Sequence, residues 1–510
     1  MSKPNIVMIL ADDMGWMDVG YHGSEIKTPN LDRLAEEGAR LNQFYVMPAC
    51  TPTRASMLTG RYTIRYGMQT GVIKPTQDHG LPTDEVTLAE VLKGAGYYTA
   101  ITGKWHLGHS KKEYLPSQRG FDYQYGCYNG MIDYFTHMFN YRIRGISAGG
   151  ITGVDELEED WKDEGNDWNR NDVPLNEEGY ATDLIADEAI KVVEEHDDSK
   201  PLFLYVPFTA PHSPLQVPQE YLDMYEPEKM AVAQGPVEAP IYSIGGMKAE
   251  ELQRRRAIYA GMVTCMDDCI GKIMESLRAR GMDENTILFF CSDNGGAPDL
   301  GAVNDPLRGS KTSVYEGGVR VPAFMHCPGK IAASTEVDGP LHMVDLYPTL
   351  LKQAGVELDQ EKPLDGKDMW PTLVEGKPSP HDEVLINAAP FNGAIIVGEW
   401  KLVRNGHIFC MMTHEGENDV YELFNLSEDI GETTDLSETY PEKVKELREK
   451  LEKYTREAVT PFNTPAPLNQ PSKPATKGPK EMSTEPRKEK FPKVWIENHS
   501  GTPKAWGHSD

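Results

Sequence analysis

The stretch Asn5-Ile6-Val7-Met8-Ile9-Leu10-Ala11-Asp12-Asp13 joins a continuous apolar run to two adjacent carboxylates. A short, uninterrupted apolar run over residues 5–10 is typical of a strand that is buried on both faces. The two aspartates that follow would lie in the loop at the end of this strand. The stretch therefore predicts the first strand of an α/β sheet, with polar chemistry at its carboxyl end.

The same order of strand, polar loop and helix returns along the chain. We predict further strands over residues 41–46, 97–101, 202–208 and 286–291. We predict helices over residues 29–38, 54–58, 87–93, 184–195 and 249–279. Such alternation indicates an α/β sheet with helices on both faces, in which ligand sites gather beyond the carboxyl ends of the strands.

Four polar clusters come just after predicted strands and should meet at one edge of the sheet. They are Asp12-Asp13, Lys104, His212 and Asp293-Asn294. Because they follow separate strands, we expect the sheet to bring them together.

The length of the chain and the change in its sequence pattern after about residue 380 predict two domains and a tail. A chain of 510 residues is too long for one ordinary core. We assign residues 1–380 to the large domain and residues 381–462 to a smaller one of antiparallel sheet plus helix. Residues 394–397 and 401–403 have the pattern of a hairpin there, and residues 440–455 that of a charge-laced amphipathic helix.

Residues 463–510 are rich in proline, lysine and polar residues, which favours an extended tail. Trp495 and Trp506 are unusual in such a tail. They suggest that it docks onto the body or onto a neighbouring subunit, so an oligomer formed through the tail is possible.

The charge of the chain excludes some partners. A formal net charge of -28 repels nucleic acid and other polyanions, so no nucleic-acid binding is expected. An anionic substrate would have to be captured by a local cluster of cations. No apolar run is long enough to cross a bilayer, so membrane insertion is not expected either.

The first residues bear on localisation. The chain opens Met1-Ser2-Lys3 and enters an apolar strand at once, with no room for a signal peptide. We therefore expect a cytoplasmic protein, or a periplasmic or secreted one if the chain has been trimmed to a mature start.

Seven cysteines are sparse for this length, and their spacing shows neither a disulfide framework nor a zinc pattern. Cys265 and Cys269 lie four apart on a predicted helix, where a shared core-facing stripe explains them. Zinc would need further ligands nearby.

An acidic insertion lies between Val154 and Gly179, with Trp161 and Trp168 in a polar background. We expect a solvated loop, and the alternative is a lid over a pocket.

The run Cys50-Thr51-Pro52-Thr53-Arg54, followed by Leu58-Thr59-Gly60-Arg61, is the most specific motif of the chain. A lone cysteine is usually a buried, inert thiol. Proline and arginine at fixed offsets make that interpretation less favourable, because chance rarely supplies both.

The chain contains further motifs besides this one. They are the acidic pairs at 12–13 and 293–294 and the segments 103–106, 210–212 and 308–311. Together these segments resemble the type I sulfatases of the alkaline-phosphatase superfamily, and the likeness covers about residues 4 to 460. Thr53 departs from the serine that is commoner at its position. Residues 115–122 and 214–218 are most similar to the N-acetylgalactosamine-4-sulfatase (arylsulfatase B) branch. The resemblance implies an alkaline-phosphatase-like large mixed sheet flanked by helices, in keeping with the smaller C-terminal domain.

The acidic pairs indicate a metal site. One pair alone is more often a turn or a helix cap. Two pairs at strand ends form an all-oxygen set that suits a hard cation. The resemblance implies calcium, with magnesium as the second choice, held by Asp12, Asp13, Asp293, Asn294 and the modified Cys50.

The resemblance also implies that Cys50 is oxidised to formylglycine by a formylglycine-generating enzyme. The hydrated aldehyde would attack sulfur with one hydroxyl, and its second hydroxyl would allow sulfate to be expelled as the aldehyde re-forms. Arg54 would hold the hydrate. Lys104 and His106 would face the diol and the sulfate, with His106 as the base that triggers sulfate release.

His212 and Lys311 would address the bridging oxygen of the ester, with His212 as the proton donor. We interpret four further histidines as structural: His79, His109, His137 and His342. Of these, His109 is the first that we would reassign to the active site, because it lies near His106.

The sequence thus predicts a sulfuric ester hydrolase acting on a small sulfate ester or a sulfated saccharide. Two alternatives stay open at this point. One is a phosphodiester or phosphonate hydrolase of the same superfamily, and the other is a noncatalytic binder of sulfated glycans with an unmodified Cys50.

Overall fold

A ten-stranded mixed sheet lies at the centre of the computed structural model. The structure describes residues 3–75, 77–138, 165–234, 247–357, 361–388, 392–406 and 419–462, and the backbone alone at 495–497 and 503–505. The strand order of the large sheet is β11-β2-β10-β9-β1-β8-β4-β5-β6-β7. Its strands are β1 (Asn5–Ala11), β2 (Ala39–Leu41), β4 (Tyr98–Thr102), β5 (Tyr123–Gly126), β6 (Asn169–Arg170), β7 (Val173–Pro174), β8 (Leu202–Pro207), β9 (Thr286–Ser292), β10 (Ala323–His326) and β11 (Thr335–Val337).

The first strand lies in the middle of this sheet because both of its faces are apolar. β1 pairs in parallel with β8 on one side and with β9 on the other. Val7 and Ile9 belong to the core on one face, and Ile6 and Met8 to the core on the other. Each such side chain contributes about 1.5–3 kcal/mol by burial. The apolar stretch from which the fold was inferred is therefore the centre of two hydrophobic layers.

Helices cover both faces of the sheet, and others lie elsewhere in the described part of the chain. They are α1 (Pro29–Glu36), α2 (Cys50–Thr59), α3 (Leu88–Gly94), α4 (Ala181–Glu194), α5 (Gln219–Leu222), α6 (Ala249–Ala279), α7 (Glu316–Val319), α8 (Leu346–Gln353), α9 (Trp370–Glu375) and α10 (Pro441–Glu457). Helices α1, α4 and α6 pack on one face, and α2, α3 and α8 pack on the other. The predicted α/β class is confirmed.

One strand prediction is wrong. The run 41–46 is divided, because Leu41 ends β2 and Phe44 begins β3 (Phe44–Tyr45), which pairs with β12 (Leu341–His342) in a separate two-stranded sheet. Between them the backbone N–H of Asn42 donates to the carbonyl of Val337 at 2.9 Å. The strands pair with residues almost three hundred positions away, and the local periodicity of the sequence contains no information about such partners.

The helix expected over 54–58 begins earlier, at Cys50. Pro52 is tolerated in the first turn, where a backbone N–H has no helical acceptor. The N–H of Thr53 donates to the carbonyl of Ala49 at 3.1 Å and closes that turn. The cysteine is therefore the first residue of α2 and is not in a loop.

The C-terminal region forms a second, antiparallel sheet. Its strands are β13 (Val384–Ala388), β14 (Gly393–Val397), β15 (Trp400–Arg404) and β16 (Tyr421–Asn425). Strands β14 and β15 form the expected hairpin. Helix α10 covers this sheet through Leu447 and Leu451, which are buried. The boundaries drawn at 380 and 462 stay predictions.

Several expectations concern residues that the structure does not describe. The acidic run 155–160, Trp161, residues 463–494 and Trp506 lie outside the described residues. Trp495 belongs to a short strand, β17 (Trp495–Glu497), which pairs with β18 (Pro503–Ala505). Trp168, by contrast, is fully buried and not in a solvated loop, because its ring packs edge-on against Tyr125 at 5.2 Å.

Among the described residues, no helix combines the length and the apolar character that a bilayer-spanning segment requires.

Candidate active site

The polar residues expected at strand ends meet at one edge of the large sheet. Asp12 and Asp13 follow β1, and Asp293 and Asn294 follow β9. The site is buried, because neither Asp12 nor Asp293 exposes any surface and Asp13 exposes 3%.

A left-handed turn at Asp13 brings the two acidic pairs into contact. Asp13 has φ 68°, which few residues other than glycine adopt. Its backbone N–H donates to Oδ1 of Asp293 at 3.2 Å. The side-chain amide of Asn294 donates to Oδ1 of Asp13 at 2.7 Å. This turn therefore aims the carboxylate of Asp13 along the strand-end edge and not back into the sheet.

Cys50 faces this carboxylate group from the first turn of α2. Its Sγ lies 3.4 Å from Oδ1 of Asp12 and 3.9 Å from Oδ1 of Asp13. Burial, reinforced by the negative charge of Asp293, raises the pKa of the thiol well above its ordinary value. An unmodified Cys50 would therefore remain a neutral thiol at pH 7 and would be a poor nucleophile.

Arg54 follows one helical turn after Cys50 and joins the strand ends. Its Nε and Nη2 donate to Oδ2 of Asp293 at 3.1 and 2.8 Å, and its Nη1 donates to the carbonyl of Lys104 at 3.0 Å. The guanidinium is fully buried, so these contacts are worth more than an exposed ion pair. These contacts of Arg54 hold the loops around Cys50, while direct contact with a hydrated aldehyde stays a prediction.

Two lysines neutralise the two aspartates of the first pair. Nζ of Lys104 donates to Oδ2 of Asp12. Nζ of Lys311 donates to Oδ2 of Asp13 at 2.7 Å. Burial opposes the ionisation of Asp13, but the charge of Lys311 and the hydrogen bonds from Lys311 and Asn294 outweigh it and lower the pKa of this carboxyl. The predicted cation cluster is thus assembled around the acidic groups.

The hydrogen bonds of His106 indicate how its ring is protonated. Its Nε2 lies 3.1 Å from the carbonyl of Ile73, and a carbonyl only accepts, so Nε2 carries the hydrogen. Nδ1 is buried and makes no hydrogen bond with the described residues. Burial, together with the charges of Lys104 and Arg54, lowers the pKa of the ring well below its ordinary value. His106 is therefore neutral, with an unshared electron pair on Nδ1.

His212 lies beside the carboxylate of Asp13. Its Nδ1 is 2.6 Å from the carbonyl of Ser213, and its Nε2 is 3.6 Å from Oδ2 of Asp13. Burial and the charge of Lys311 lower the pKa of His212 to about 3. The imidazole is therefore neutral at pH 7 in this state, with its hydrogen on Nδ1.

The four histidines that were interpreted as structural contact residues outside the acidic cluster. His109 Nε2 lies 3.2 Å from the carbonyl of Pro75, and His137 Nε2 lies 3.0 Å from that of Gly179. His342 Nδ1 accepts from the N–H of Val344. The ring of His79 lies 5.2 Å from that of Phe462. His109 is near His106 in sequence, but its contacts give it no place among the residues around Cys50.

The potential ligands are close enough together to hold a metal ion. Ligand atoms of Asp12, Asp13, Cys50 and His212 all lie within 4.8 Å of one another. Oδ1 of Asn294 is buried without a hydrogen-bond partner among the described residues, so its electron pairs are available. A buried carbonyl-type oxygen without a partner is costly, which favours a cation or a donor at that atom.

The electrostatics of the acidic pairs point the same way. Burial and the charge of Asp12 raise the pKa of Asp293 to about 6, against the opposing charge of Arg54. A bound divalent cation would relieve this repulsion between carboxylates.

Some contributors carried no signal in the sequence. The hydroxyl of Tyr259, on α6, donates to the carbonyl of Asp13 at 3.1 Å. Oγ of Ser292 accepts from the N–H of Met14 at 2.9 Å and donates to the carbonyl of Asn294 at 2.8 Å. A tyrosine in a long helix belongs to no motif, although Ser292 lies directly before the predicted acidic pair.

Cys265 and Cys269 face the core, as expected, with no exposed surface. Their Sγ atoms lie 3.9 and 3.5 Å from Oδ1 of Asp183, distances at which thiols donate to a carboxylate.

Comparison with known proteins identifies the family of this chain. The Sulfatase family profile matches residues 4–356, and a second profile, N-sulphoglucosamine sulphohydrolase, C-terminal, matches residues 310–457. Arylsulfatase J of Mus musculus is 36% identical over 90% of this chain and 77% of its own length. N-acetylgalactosamine-6-sulfatase of Mus musculus is 31% identical over 85% of this chain and 82% of its own.

Solved structures share the fold. The crystal structure of Ps i-CgsB in complex with k-i-k-neocarrahexaose aligns with a TM-score of 0.75 and 30% identity, over 91% of this chain and 96% of that one. The fold, the buried site and these relatives together define the class as sulfuric ester hydrolase. The chain belongs to the sulfatase family. The resemblance inferred from the sequence is thereby confirmed, and so is the expected hydrolysis of sulfate esters. Likeness to the arylsulfatase B branch stays a prediction.

Proposed function

We propose that this sulfatase removes sulfate from a sulfated saccharide, using a formylglycine made from Cys50 and a calcium ion. The observation that carries the proposal is the place of Cys50, which begins α2 with its Sγ 3.4 Å from Asp12 and within a ring of buried charges. The elevated pKa of the thiol supports a modified side chain, because the thiol itself would stay protonated.

The residues that would hold the cation are Asp12, Asp13, Asp293 and Asn294. When bound, it would supply positive charge for the negative charge that develops on the sulfate ester. Carboxylate and amide oxygens bind either calcium or magnesium. Calcium is preferred because the resemblance to the type I sulfatases implies it.

The residues of the chain itself provide proton transfer and charge. His106 is neutral with a free electron pair on Nδ1, which suits the base that removes a proton from the spare hydroxyl of the hydrate. Lys104 supplies positive charge beside the sulfate from a fixed, buried position.

The proposed proton donor to the departing alcohol is His212. His212, as the neutral ring described above, would have to gain a proton first, and an anionic sulfate ester beside it would favour that by raising its pKa. Lys311, as an ammonium group, would stabilise the same bridging oxygen. Lys311 therefore shares the task proposed for His212.

The saccharide substrate is supported by the relatives. Ps i-CgsB was solved with a neocarrahexaose, and one curated relative is named N-acetylgalactosamine-6-sulfatase. A small aryl sulfate would serve as a substrate in vitro, since a phenol leaves more readily than a saccharide hydroxyl and needs less proton donation.

The test uses enzyme matured with a formylglycine-generating enzyme. Sulfate release is measured on a panel of defined sulfated saccharides, on an aryl sulfate and on the matched aryl phosphate diester. We expect kcat/KM for the best saccharide to exceed that for the aryl sulfate, and sulfate to be preferred over phosphate. Faster hydrolysis of the phosphate diester would overturn the proposed substrate class.

The metal is tested separately. Protein stripped with a chelator is reloaded with calcium or with magnesium, and bound metal is counted before activity is assayed. The proposal requires calcium to bind more tightly than magnesium, and the reverse order would overturn it.

A further inference from the structure

A buried lysine of the C-terminal sheet binds two glutamates of different segments. Nζ of Lys401, on β15, lies 2.8 Å from Oε1 of Glu316 and 2.9 Å from Oε1 of Glu432. Lys401 and Glu316 expose none of their surface and Glu432 exposes 1%. Ionised groups are rarely buried so completely unless they are paired.

The two glutamates connect the C-terminal sheet to the large domain. Glu316 begins α7, directly after the loop that contains Lys311, whereas Glu432 follows β16. The backbone N–H of Glu316 donates to Oε2 of Glu432 at 2.6 Å. Glu432 has φ 51°, a left-handed backbone that a glutamate rarely adopts. The start of α7 is therefore held from two sides.

The loop before α7, residues 308–315, has further contacts with the C-terminal sheet. Arg308 Nη1 donates to Oε1 of Glu422 at 3.0 Å and to the carbonyl of Glu432 at 3.2 Å, and its guanidinium lies 4.0 Å from the ring centre of Tyr315. The N–H of Val314 donates to the carbonyl of Gly406 at 2.8 Å. One side of this loop is thus fixed by the second domain.

The other side of the same loop meets the active site. The N–H of Lys311 donates to the carbonyl of Gly296 at 3.1 Å, two residues after Asn294. The N–H of Thr312 donates to the carbonyl of Pro48 at 2.7 Å, two residues before Cys50. The position of the Lys311 ammonium group is therefore determined by a loop that spans both domains.

Joining two domains through a buried ion triad requires three charged groups to lose their hydration, which costs free energy. Well-packed apolar residues of similar volume would often be as stabilising as a buried ion pair. The triad is directional, however, since Oε1 of Glu316 accepts from Nζ of Lys401 and Oε2 of Glu432 accepts from the N–H of Glu316. It therefore specifies where α7 begins.

We propose that Lys401 is a positioning residue for sulfate ester hydrolysis. Through Glu316 and Glu432 it fixes the loop 308–315, and thereby places Lys311 against the bridging oxygen of the ester. The inference rests on the role proposed above for Lys311. The C-terminal sheet then contributes to the rate without touching the substrate.

The first test is Lys401→Met in matured enzyme. Because charge on the bridging oxygen develops in the transition state, kcat should fall tenfold or more while KM changes less than threefold. The fall should be larger for a saccharide alcohol than for a 4-nitrophenyl leaving group, which needs less stabilisation. Unchanged kcat in folded protein would overturn the proposal.

A double-mutant cycle separates this role from general damage. Lys311→Met should itself lower kcat, and in that background Lys401→Met should cost less than threefold further, since the two residues act through one contact. Independent, multiplicative losses would overturn the positioning role. A normal kcat for Lys311→Met would instead overturn the role of Lys311 itself.

Charge rescue gives a second readout. Lys401→Met leaves two facing carboxylates, and the double variant with Glu432→Gln removes one of them, so kcat should return to within threefold of the wild type. If the folded double variant stays impaired, the triad does not act through its charge balance. The matched control is Lys450→Met, which removes an ion pair of 2.6 Å to Glu383 within the C-terminal region and should leave kcat unchanged.

If Lys401→Met does not fold, Arg308→Met tests the proposal instead, because Arg308 anchors the same loop to the C-terminal sheet. This side chain is 13% exposed, so its replacement is better tolerated. It should lower kcat severalfold with the same dependence on leaving group, and a kcat within twofold of the wild type would overturn the proposal.

Discussion

At the residue scale, Cys50 is surrounded by charges that each have a fixed partner. Lys104 binds Asp12, Lys311 binds Asp13 and Arg54 binds Asp293. The site therefore presents preorganised charge around one side chain, which is what ester hydrolysis through an activated nucleophile requires.

Replacing Cys50 with alanine should abolish sulfate release and leave the fold intact. Alanine is a good helix former, and no backbone hydrogen bond of α2 depends on the thiol. Sulfate release and the melting temperature check this expectation. Cys327→Ala is the control, because Cys327 is as buried as Cys50 but follows the end of β10 that pairs with Leu288, away from the site. Turnover by Cys50→Ala at the wild-type rate would contradict the mechanism.

Replacing Asp293 with alanine should lower both bound metal and activity. The change removes a carboxylate from the acidic set, and with it the ion-pair partner that lies 2.8 Å from the Arg54 guanidinium, so a loss of at least tenfold in metal affinity is expected. Metal is counted by elemental analysis after dialysis. Asp299→Asn is the control, since burial also raises the pKa of Asp299 to about 6 but this residue is not among the proposed ligands. Equal calcium content in Asp293→Ala and the wild type would refute the ligand assignment.

The sequence predicted the members of this site but not their pairing. Strand ends and motifs were enough to bring Asp12, Asp13, Lys104, Asp293 and Asn294 to one edge. The partner of each charge depends on side-chain geometry across four strand ends, and Tyr259 enters from a helix without any motif. Which ring nitrogen of His106 is free likewise depends on a carbonyl, that of Ile73, thirty-three residues away.

At the scale of elements, the helix that begins at Cys50 and the loop before α7 approach each other at the site. Cys50 lies at the N-terminus of α2, where the helix dipole gives a positive potential. The hairpin β14–β15 was predictable from its alternating pattern, whereas the split of residues 41–46 was not, because β2 and β3 join different sheets through distant partners.

The Glu432 carboxyl should make stability depend on pH. Burial and the charge of Glu316 raise its pKa to about 7, against the opposing charge of Lys401. A carboxyl whose folded pKa exceeds its unfolded one binds more protons in the folded state, so its contribution to stability falls as pH rises from about 4.5 to about 7.

Glu432→Gln should therefore gain stability relative to the wild type, on the order of 2–3 kcal/mol, as pH is raised from about 5 to about 8. Urea unfolding at a series of pH values measures the difference. The solvent-exposed Glu449→Gln is the control and should give a difference that does not change with pH. A Glu432→Gln difference that is flat or declines with pH would contradict the burial of an ionisable group at this position.

At the scale of the whole molecule, a net charge of -28 surrounds a site that must accept an anion. The cations of the site are buried and paired, so they act at short range, whereas the surface charge acts at a distance. Capture of a highly sulfated saccharide should be slowed by this long-range repulsion.

Added salt should therefore raise kcat/KM for a polysulfated saccharide severalfold between ionic strengths of about 0.01 M and about 0.15 M, where the screening length falls from about 30 Å to about 8 Å. A monosulfated saccharide of the same length is the control and should show a smaller rise, with kcat unchanged for both. A fall in kcat/KM with salt would show that the local cations dominate capture.

The chemical state of residue 50 in active protein tests the central claim most directly. Enzyme co-expressed with a formylglycine-generating enzyme is assayed for sulfate release, and the peptide that contains residue 50 is then weighed by mass spectrometry. We predict that sulfate release scales across preparations with the fraction of this peptide whose mass is lowered by conversion to the aldehyde. Full activity in protein whose Cys50 is entirely an unmodified thiol would contradict it.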